Sequence, residues 1–289
     1  MSDFIELTKP RLITAELFVA VASLVVAGRM SVPVLSVIKL VALGYLGLGG
    51  SAAINSYFDR DIDVVMSRTA GRAVPSGRLK PSSALIFGLS TLALSVSLSF
   101  ILINPLTALI IGLGSILYIG LYTVYLKRRT PGSVLWGGLS GAIPALGGWS
   151  VYTQTDWLIP ALIFAVVFFW QPGHFWPLSI YYRDEYRSAG IPALSTVKDT
   201  RSIAQSALLY NLVTIAVTYL LYFVSRLSIV FLLVMSLANG WLIFRSVKGT
   251  RSEDKRFFLG SFRFSIAYMF VFLLSLIVSS LVPFPFALR

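Results

Sequence analysis

Long apolar runs, broken by short polar and basic stretches, set the pattern of this chain. A helix needs about 20 mainly apolar residues to cross a bilayer. Nine stretches come near that length, at 12–28, 34–56, 83–103, 105–126, 133–152, 157–181, 203–224, 227–247 and 261–282. Only Asn104-Pro105 divides the third from the fourth. Pro105 lacks an amide donor, so a turn is expected there, with a single kinked helix as the rival. The pattern predicts an all-α membrane protein, nine transmembrane helices in a single bundle around a central lipid-embedded cavity. One domain is expected to span 1–289.

Composition agrees with the pattern. Of 289 residues 56% are hydrophobic and only 12% charged, too few charges to cover the surface of a soluble globule of this size. Mean hydropathy is +0.81. The absence of cysteine excludes disulfides, Cys-ligated metal centres and a thiol nucleophile. A net charge of +12 could suggest nucleic acid, but the basic residues lie in clusters between the apolar runs. With the N-terminus on the cytoplasmic side, 20 of the 24 lysines and arginines fall in cytoplasmic segments. Arg29, Arg226 and Arg289 fall opposite, and Lys39 lies within a span. That split follows the positive-inside rule and leaves no role for nucleic acid. Nine spans put the C-terminus outside. The short lead before the first span, with Asp3 and Glu6, reads as neither signal nor transit peptide. The expected location is a cell membrane, multi-pass, in a prokaryote.

Five of the twelve acids fall at two places, 59–63 and 184–185, after the second and sixth spans. Both places lie at cytoplasmic helix ends. If the second helix runs on, Asn55, Asp59 and Asp63 at i, i+4, i+8 stack on one face while Asp61 points elsewhere. Stacked like charges repel unless a cation sits against them. Oxygen donors without nitrogen or sulfur suit Mg²⁺, which commonly keeps water and substrate phosphate oxygens in its shell. An EF-hand fails, because Val64 stands at the position that needs Gly and Ala70 at the one that needs Glu. The plain alternative is a solvated acidic helix end. Arg68 and Arg72 follow closely and can grip phosphate oxygens in pairs, whereas Arg78 and Lys80 read as membrane-edge charges.

The second cluster runs Tyr181-Tyr182-Arg183-Asp184-Glu185-Tyr186-Arg187. Asp184 and Glu185 diverge by about 100° on a helix, so only one can face the first cluster. Asp184 is the expected one, and Tyr182 and Tyr186 share a face. Two acidic clusters with arginines above aromatic-rich spans suit a prenyl diphosphate, whose anionic head meets Mg²⁺ and whose tail enters the bundle. Metal and arginine stabilise the departing diphosphate, and aromatic faces in a dry pocket stabilise the allylic cation.

Asn55-x-x-x-Asp59-x-x-x-Asp63 after a second span resembles the first aspartate-rich motif of the intramembrane prenyltransferase superfamily that includes 4-hydroxybenzoate polyprenyltransferase. Further stretches resemble its protoheme IX farnesyltransferase (heme O synthase) family. They are Leu7-Thr-Lys-Pro-Arg11, Asp59 through Arg68-Thr, Arg72-Ala-Val-Pro-Ser-Gly-Arg78, Tyr122-Thr-x-x-Leu126-Lys-Arg-Arg-Thr-Pro131, Gly137-Gly-x-x-Gly141-Ala-x-Pro144, Gly173-His-Phe-Trp176 and Tyr182 through Pro192. The superfamily's second Asp-x-x-x-Asp falls here on Tyr182 and Tyr186.

The resemblance implies transfer of farnesyl from farnesyl diphosphate to a vinyl group of heme b, water completing the side chain of heme O. It implies that Asn55, Asp59 and Asp63 bind the Mg²⁺–diphosphate, Arg68 and Arg72 the phosphates, and Asp184 the second metal side. Heme A synthase or a terminal oxidase is the implied partner for the product, with membrane lipids around the bundle.

Single residues remain. His174 is the only histidine and stands either near heme iron or in ordinary helix packing. Lys127 is a candidate for a heme propionate, or a plain edge charge beside Arg128 and Arg129. Glu16 and Lys39 lie inside spans, where charges are functional candidates by default, unless they pair or snorkel. Rival functions keep the chemistry with a quinone-precursor, chlorophyllide or archaeal glycerol-lipid acceptor, or turn the acids into a transporter's cation site.

Overall fold

The computed structural model describes residues 3–281, so the expected C-terminal exit and Arg289 lie outside the described residues. The chain folds into α1 (Asp3–Leu7), α2 (Pro10–Gly28), α3 (Val34–Phe58), α4 (Arg60–Val65), α5 (Pro81–Leu102), α6 (Pro105–Ile116), α7 (Ser133–Tyr152), α8 (Leu158–Tyr181), α9 (Arg183–Ser188), α10 (Leu194–Val197), α11 (Thr200–Ser225), α12 (Ile229–Gly249) and α13 (Lys255–Leu281). Eight of these helices are long and apolar enough to cross a membrane, α6 counting with its continuation to Leu126. The 20-residue α7 makes the ninth, its hydropathy diluted by five glycines and Pro144.

The division at Asn104-Pro105 is a true turn. Asn104 caps α6 by accepting from the Thr107 amide at 2.8 Å, and Pro105 occupies the first helical turn, where its missing N–H costs nothing. Beyond Ile116 the same helix widens into π-type turns over Leu117–Leu126, closing on the Lys127 N–H to Tyr122 C=O bond. Those wider turns set which side chains of this segment look inward.

Two groups of helices share the bundle. In one, α3 packs on α5 and α2 on α7, with α6 alongside; in the other, α8 packs on α11 and α13, and α12 packs against both of those. Lipid tails are as apolar as leucine, so helices associate where small residues let backbones come close. A Cβ on Gly148 would sit 1.9 Å from the Ala20 carbonyl oxygen, which locks α7 against α2. Gly50 and Gly88 do the same for α3 and α5, each blocked at 2.7 Å by the other's carbonyl. The second group is filled instead by large side chains, Ile163, Val166, Leu221, Met235 and Phe272 among them, all fully buried.

The short helices α4 and α9 sit together at one end. Gly190, at φ 66°, turns the chain after α9, and the Ile191 N–H bonds back to the Tyr186 carbonyl at 3.0 Å. Tyr186, Ile191 and Ala193 thereby pack on Ile62 and Met66, docking the second acidic segment on the first.

Candidate active site

Helix α3 stops at Phe58, yet its i→i−4 ladder carries on through the joint. Asp59 N–H bonds Asn55 C=O at 2.9 Å and Asp63 N–H bonds Asp59 C=O at 2.8 Å. Asn55, Asp59 and Asp63 are therefore stacked on one face, only 2–4% exposed, and Asp61 points away into a two-pronged pair with Arg128 at 2.7 Å. That guanidinium holds the Asp61 carboxyl down to about 2.

Cations surround the stack. Lys127 Nζ donates to Asp59 Oδ2 at 2.6 Å and Arg72 Nη1 to Asp63 Oδ2 at 3.0 Å. Lys9 Nζ donates to Asn55 Oδ1, and Asn55 Nδ2 donates to Asp59 Oδ2 at 2.8 Å and to Thr123 Oγ at 3.0 Å. Burial, seconded by Arg72, pushes Lys9 down to about 8 against the pull of Asp59 and Asp63. One atom is left over. Asp59 Oδ1 is buried without any hydrogen-bond partner, a costly state for a carboxylate oxygen unless a ligand completes it.

Mg²⁺ fits these residues in donor chemistry. Two carboxylates and an amide oxygen on one face are its usual protein share, with phosphate and water supplying the rest. Among the described residues no group of three or more His, Cys, Asp or Glu side chains forms a self-sufficient metal cage.

Beneath lies a cleft between α2, α3, α6 and α7. Its walls are apolar, from Leu17 and Leu40 to Ile110 and Ile143, with Ser51, Ser115 and Tyr118 toward the carboxylates. Tyr118 and Tyr122 stack at 6.1 Å along the π-type segment. Glu16 lines this cleft rather than pairing with Lys39, which donates to the Leu102 carbonyl at 2.8 Å.

The second acidic segment corrects one expectation. Asp184 faces away from the first cluster, its side chain 70% exposed and paired with Lys255 at 2.8 Å, which lowers its pKa. Its neighbour Glu185 is the acid that reaches across, accepting from the Ser67 amide at 3.0 Å and the Ser67 hydroxyl at 2.7 Å. The reason is the burial of Tyr186 on Ile62 and Met66, which fixes the rotation of α9. Burial raises Tyr186 to about 12, with Arg68 and Lys127 close enough to oppose the shift. Among the described residues Arg68 has no acid partner, and it lies 5.8 Å over the Tyr182 ring.

His174 is not brought to this cluster. It is sandwiched between Trp170 at 4.3 Å and Phe262 at 4.5 Å, its Nδ1 2.6 Å from the Ser265 hydroxyl, within the α8–α13 packing. Arg78 bonds Asp3 and Glu6, an anchor for the N-terminal helix in keeping with its reading as a non-catalytic charge.

Residues 17–270 match the UbiA prenyltransferase family. The chain belongs to that family. Curated relatives named protoheme IX farnesyltransferase include those of Leifsonia xyli subsp. xyli, 34% identical over 97% of this chain and 92% of the relative. That of Streptomyces avermitilis is 39% identical over 83% and 79%. These place the chain in the protoheme IX farnesyltransferase branch, as a membrane prenyltransferase. A solved digeranylgeranylglyceryl phosphate synthase shares the fold with a TM-score of 0.79 at 18% identity, covering 96% of this chain and 97% of that one. A UbiA homologue from Archaeoglobus fulgidus, solved bound to DMAPP and Mg²⁺, has a TM-score of 0.70 at 16% identity over 94% and 99%.

For this prenyltransferase, spacing alone identified the Asn55–Asp59–Asp63 stack, and the structure adds Lys9, Thr123, Tyr118, Tyr122 and Glu185. Lys9 lies inside the Leu7–Arg11 stretch, where the resemblance assigns it no role. Tyr122, Thr123 and Glu185 also stand in stretches that carry the resemblance and Tyr118 in none, and the π-type turns and the docking of α9 decide which way each faces.

Proposed function

We propose that this chain moves a farnesyl group from farnesyl diphosphate to a vinyl group of heme b, giving heme O. The observation that carries the reading is Asp59 Oδ1, unpartnered among the described residues and ringed by cations above an apolar cleft. Asn55, Asp59 and Asp63 would hold Mg²⁺, which supplies charge neutralisation of the diphosphate. Lys9, Lys127, Arg68 and Arg72 bind the diphosphate oxygens and stabilise the charge that develops on them as the C–O bond breaks. The departing diphosphate keeps the bonding pair. Tyr118 and Tyr122 present ring faces to the allylic cation, and the cleft keeps water from it. The vinyl π-electrons then form the new C–C bond, water adds at the resulting cationic carbon, and a proton leaves. No covalent nucleophile takes part.

The heme acceptor rests on the protoheme IX farnesyltransferase relatives; the likeness to the glycerol-lipid synthase is one of fold. Glu185, not Asp184, takes the place of the second acidic contact, with Tyr182 and Tyr186 beside it. The product passes to terminal oxidases, directly or through heme A synthase. The chain works as one domain in a prokaryotic cell membrane with α4 and α9 on the cytoplasmic side.

Membranes holding the protein are to be incubated with labelled farnesyl diphosphate and heme b, then with quinone-precursor, chlorophyllide and glycerol-lipid acceptors. Label appearing in heme O supports the reading. Label entering only another acceptor moves the specificity, and ion flux in proteoliposomes without turnover replaces the enzyme by a transporter.

A further inference from the structure

The second group of helices contains its own partly open pocket, lined by α8, α11, α12 and α13 and by none of the stacked residues. Most of its wall is apolar and well buried, including Ile203, Ala207, Leu242 and Phe258. Into this wall α12 places Arg245. Its guanidinium lies 5.0 Å from the Phe257 ring and 5.8 Å from that of Phe264, and Nη2 donates to the Ser261 hydroxyl at 3.1 Å and more weakly to the Phe257 carbonyl at 3.4 Å.

Among the described residues no carboxylate pairs with Arg245. Its Nε is buried without a partner. Arg245 is half-buried near the end of α12, and a guanidinium partly withdrawn from water costs free energy unless its charge is met. Ring faces meet part of it; an anion would meet the rest. A second polar group on the same wall is also incomplete. Asn211 is 5% exposed, donates to the Ser246 hydroxyl at 2.9 Å and leaves its Oδ1 without a partner. The cavity ends beside Gly249 and Phe258, near the basic turn that includes Lys248 and Lys255, hence at the same end as α9.

We propose that this cavity binds an anionic lipid, its phosphate on the Arg245 guanidinium and the start of its chain between α11 and α12. The chemistry that recognises it is one negative head joined to an apolar body. Free phosphate would offer the head alone. The proposal is independent of the prenyl acceptor.

The full-length protein in zwitterionic detergent is to be titrated with phosphatidylglycerol, phosphatidylcholine and inorganic phosphate, with bound lipid counted by native mass spectrometry. Saturable binding of phosphatidylglycerol is expected, with phosphatidylcholine binding weakly and millimolar phosphate failing to displace the lipid. Arg245→Gln should weaken phosphatidylglycerol by about 10- to 100-fold, the loss expected for a hydrogen bond to a charged group. Ala207→Leu should block the lipid by filling the cavity while leaving the charge in place. Both variants should elute as single peaks and retain prenyl transfer. Equal binding of the two lipids, unchanged phosphatidylglycerol binding in both variants, or phosphate alone binding as tightly as lipid would overturn the proposal.

Discussion

Two acidic segments meet at one end of this bundle, and they are built on opposite terms. Asp59 and Asp63 are almost fully buried, each held by a cation, with one oxygen still unmatched. Asp184 is solvated and satisfied by Lys255, and only its neighbour Glu185 turns inward. Proximity to the active end of the molecule is therefore a poor guide to function. An acid held out of water with a lone pair unused is a better one, because the fold bears its desolvation without return until a ligand arrives.

The sharpest way to break this contrast is to neutralise each acid in turn. Asp59→Asn and Asp63→Asn should lower prenyl transfer by about 10³-fold, the scale of losing a central electrostatic contact in a transition state. Asp184→Asn should stay within about twofold, as exposed ion pairs contribute little. Turnover assays on detergent-purified protein decide it, and equal losses at Asp59 and Asp184 would erase the distinction. Removing divalent metal with EDTA should abolish transfer and adding Mg²⁺ restore it, while the protein still elutes as a folded species. Lys127→Met should raise KM for the prenyl diphosphate by about 10- to 100-fold, since it removes a charged contact at the buried stack. Glu185→Gln should cost about tenfold in kcat/KM through a loosened Ser67 contact, again on the scale of one charge-assisted bond.

The last effect concerns specificity and the cleft. A Cβ on Gly147 meets only an Ile110 methyl, at 3.6 Å, so a larger residue fits there. Gly147→Val should narrow the cleft and shift preference toward shorter prenyl donors by about tenfold, the range for a methylene-scale change in an apolar pocket. Competition between donors of different length measures it. An unchanged preference would mean that the tail lies elsewhere.

What could be read from residue order follows from these same particulars. The nine spans and the turn at Asn104-Pro105 were legible because length, hydropathy and proline chemistry act locally. So was the Asn55–Asp59–Asp63 stack, since a nearly unbroken helix preserves i, i+4 spacing. Asp184 against Glu185 was not legible. Adjacent residues on the six-residue α9 can exchange roles with a modest rotation, and that rotation is set by Tyr186 packing on residues 120 or more positions earlier. Lys127 was missed as an Asp59 partner for a related reason. Within Lys127-Arg128-Arg129 the inward residue depends on the π-type turns before it, which shift the register that 3.6-residue periodicity predicts. His174 shows the reverse case, a singular residue whose motif drew attention and whose ring is enclosed by Trp170 and Phe262.

The ring of cations has one further consequence. Lys9, Lys127 and Arg72 outnumber the two carboxylates they touch or surround, so the resting pocket carries an excess of one positive charge. A naked divalent ion approaching it meets repulsion, whereas a metal already chelated by diphosphate arrives with net negative charge and is drawn in. Were Asn55, Asp59 and Asp63 to hold Mg²⁺, this charge balance would favour a metal already paired with diphosphate over the bare ion.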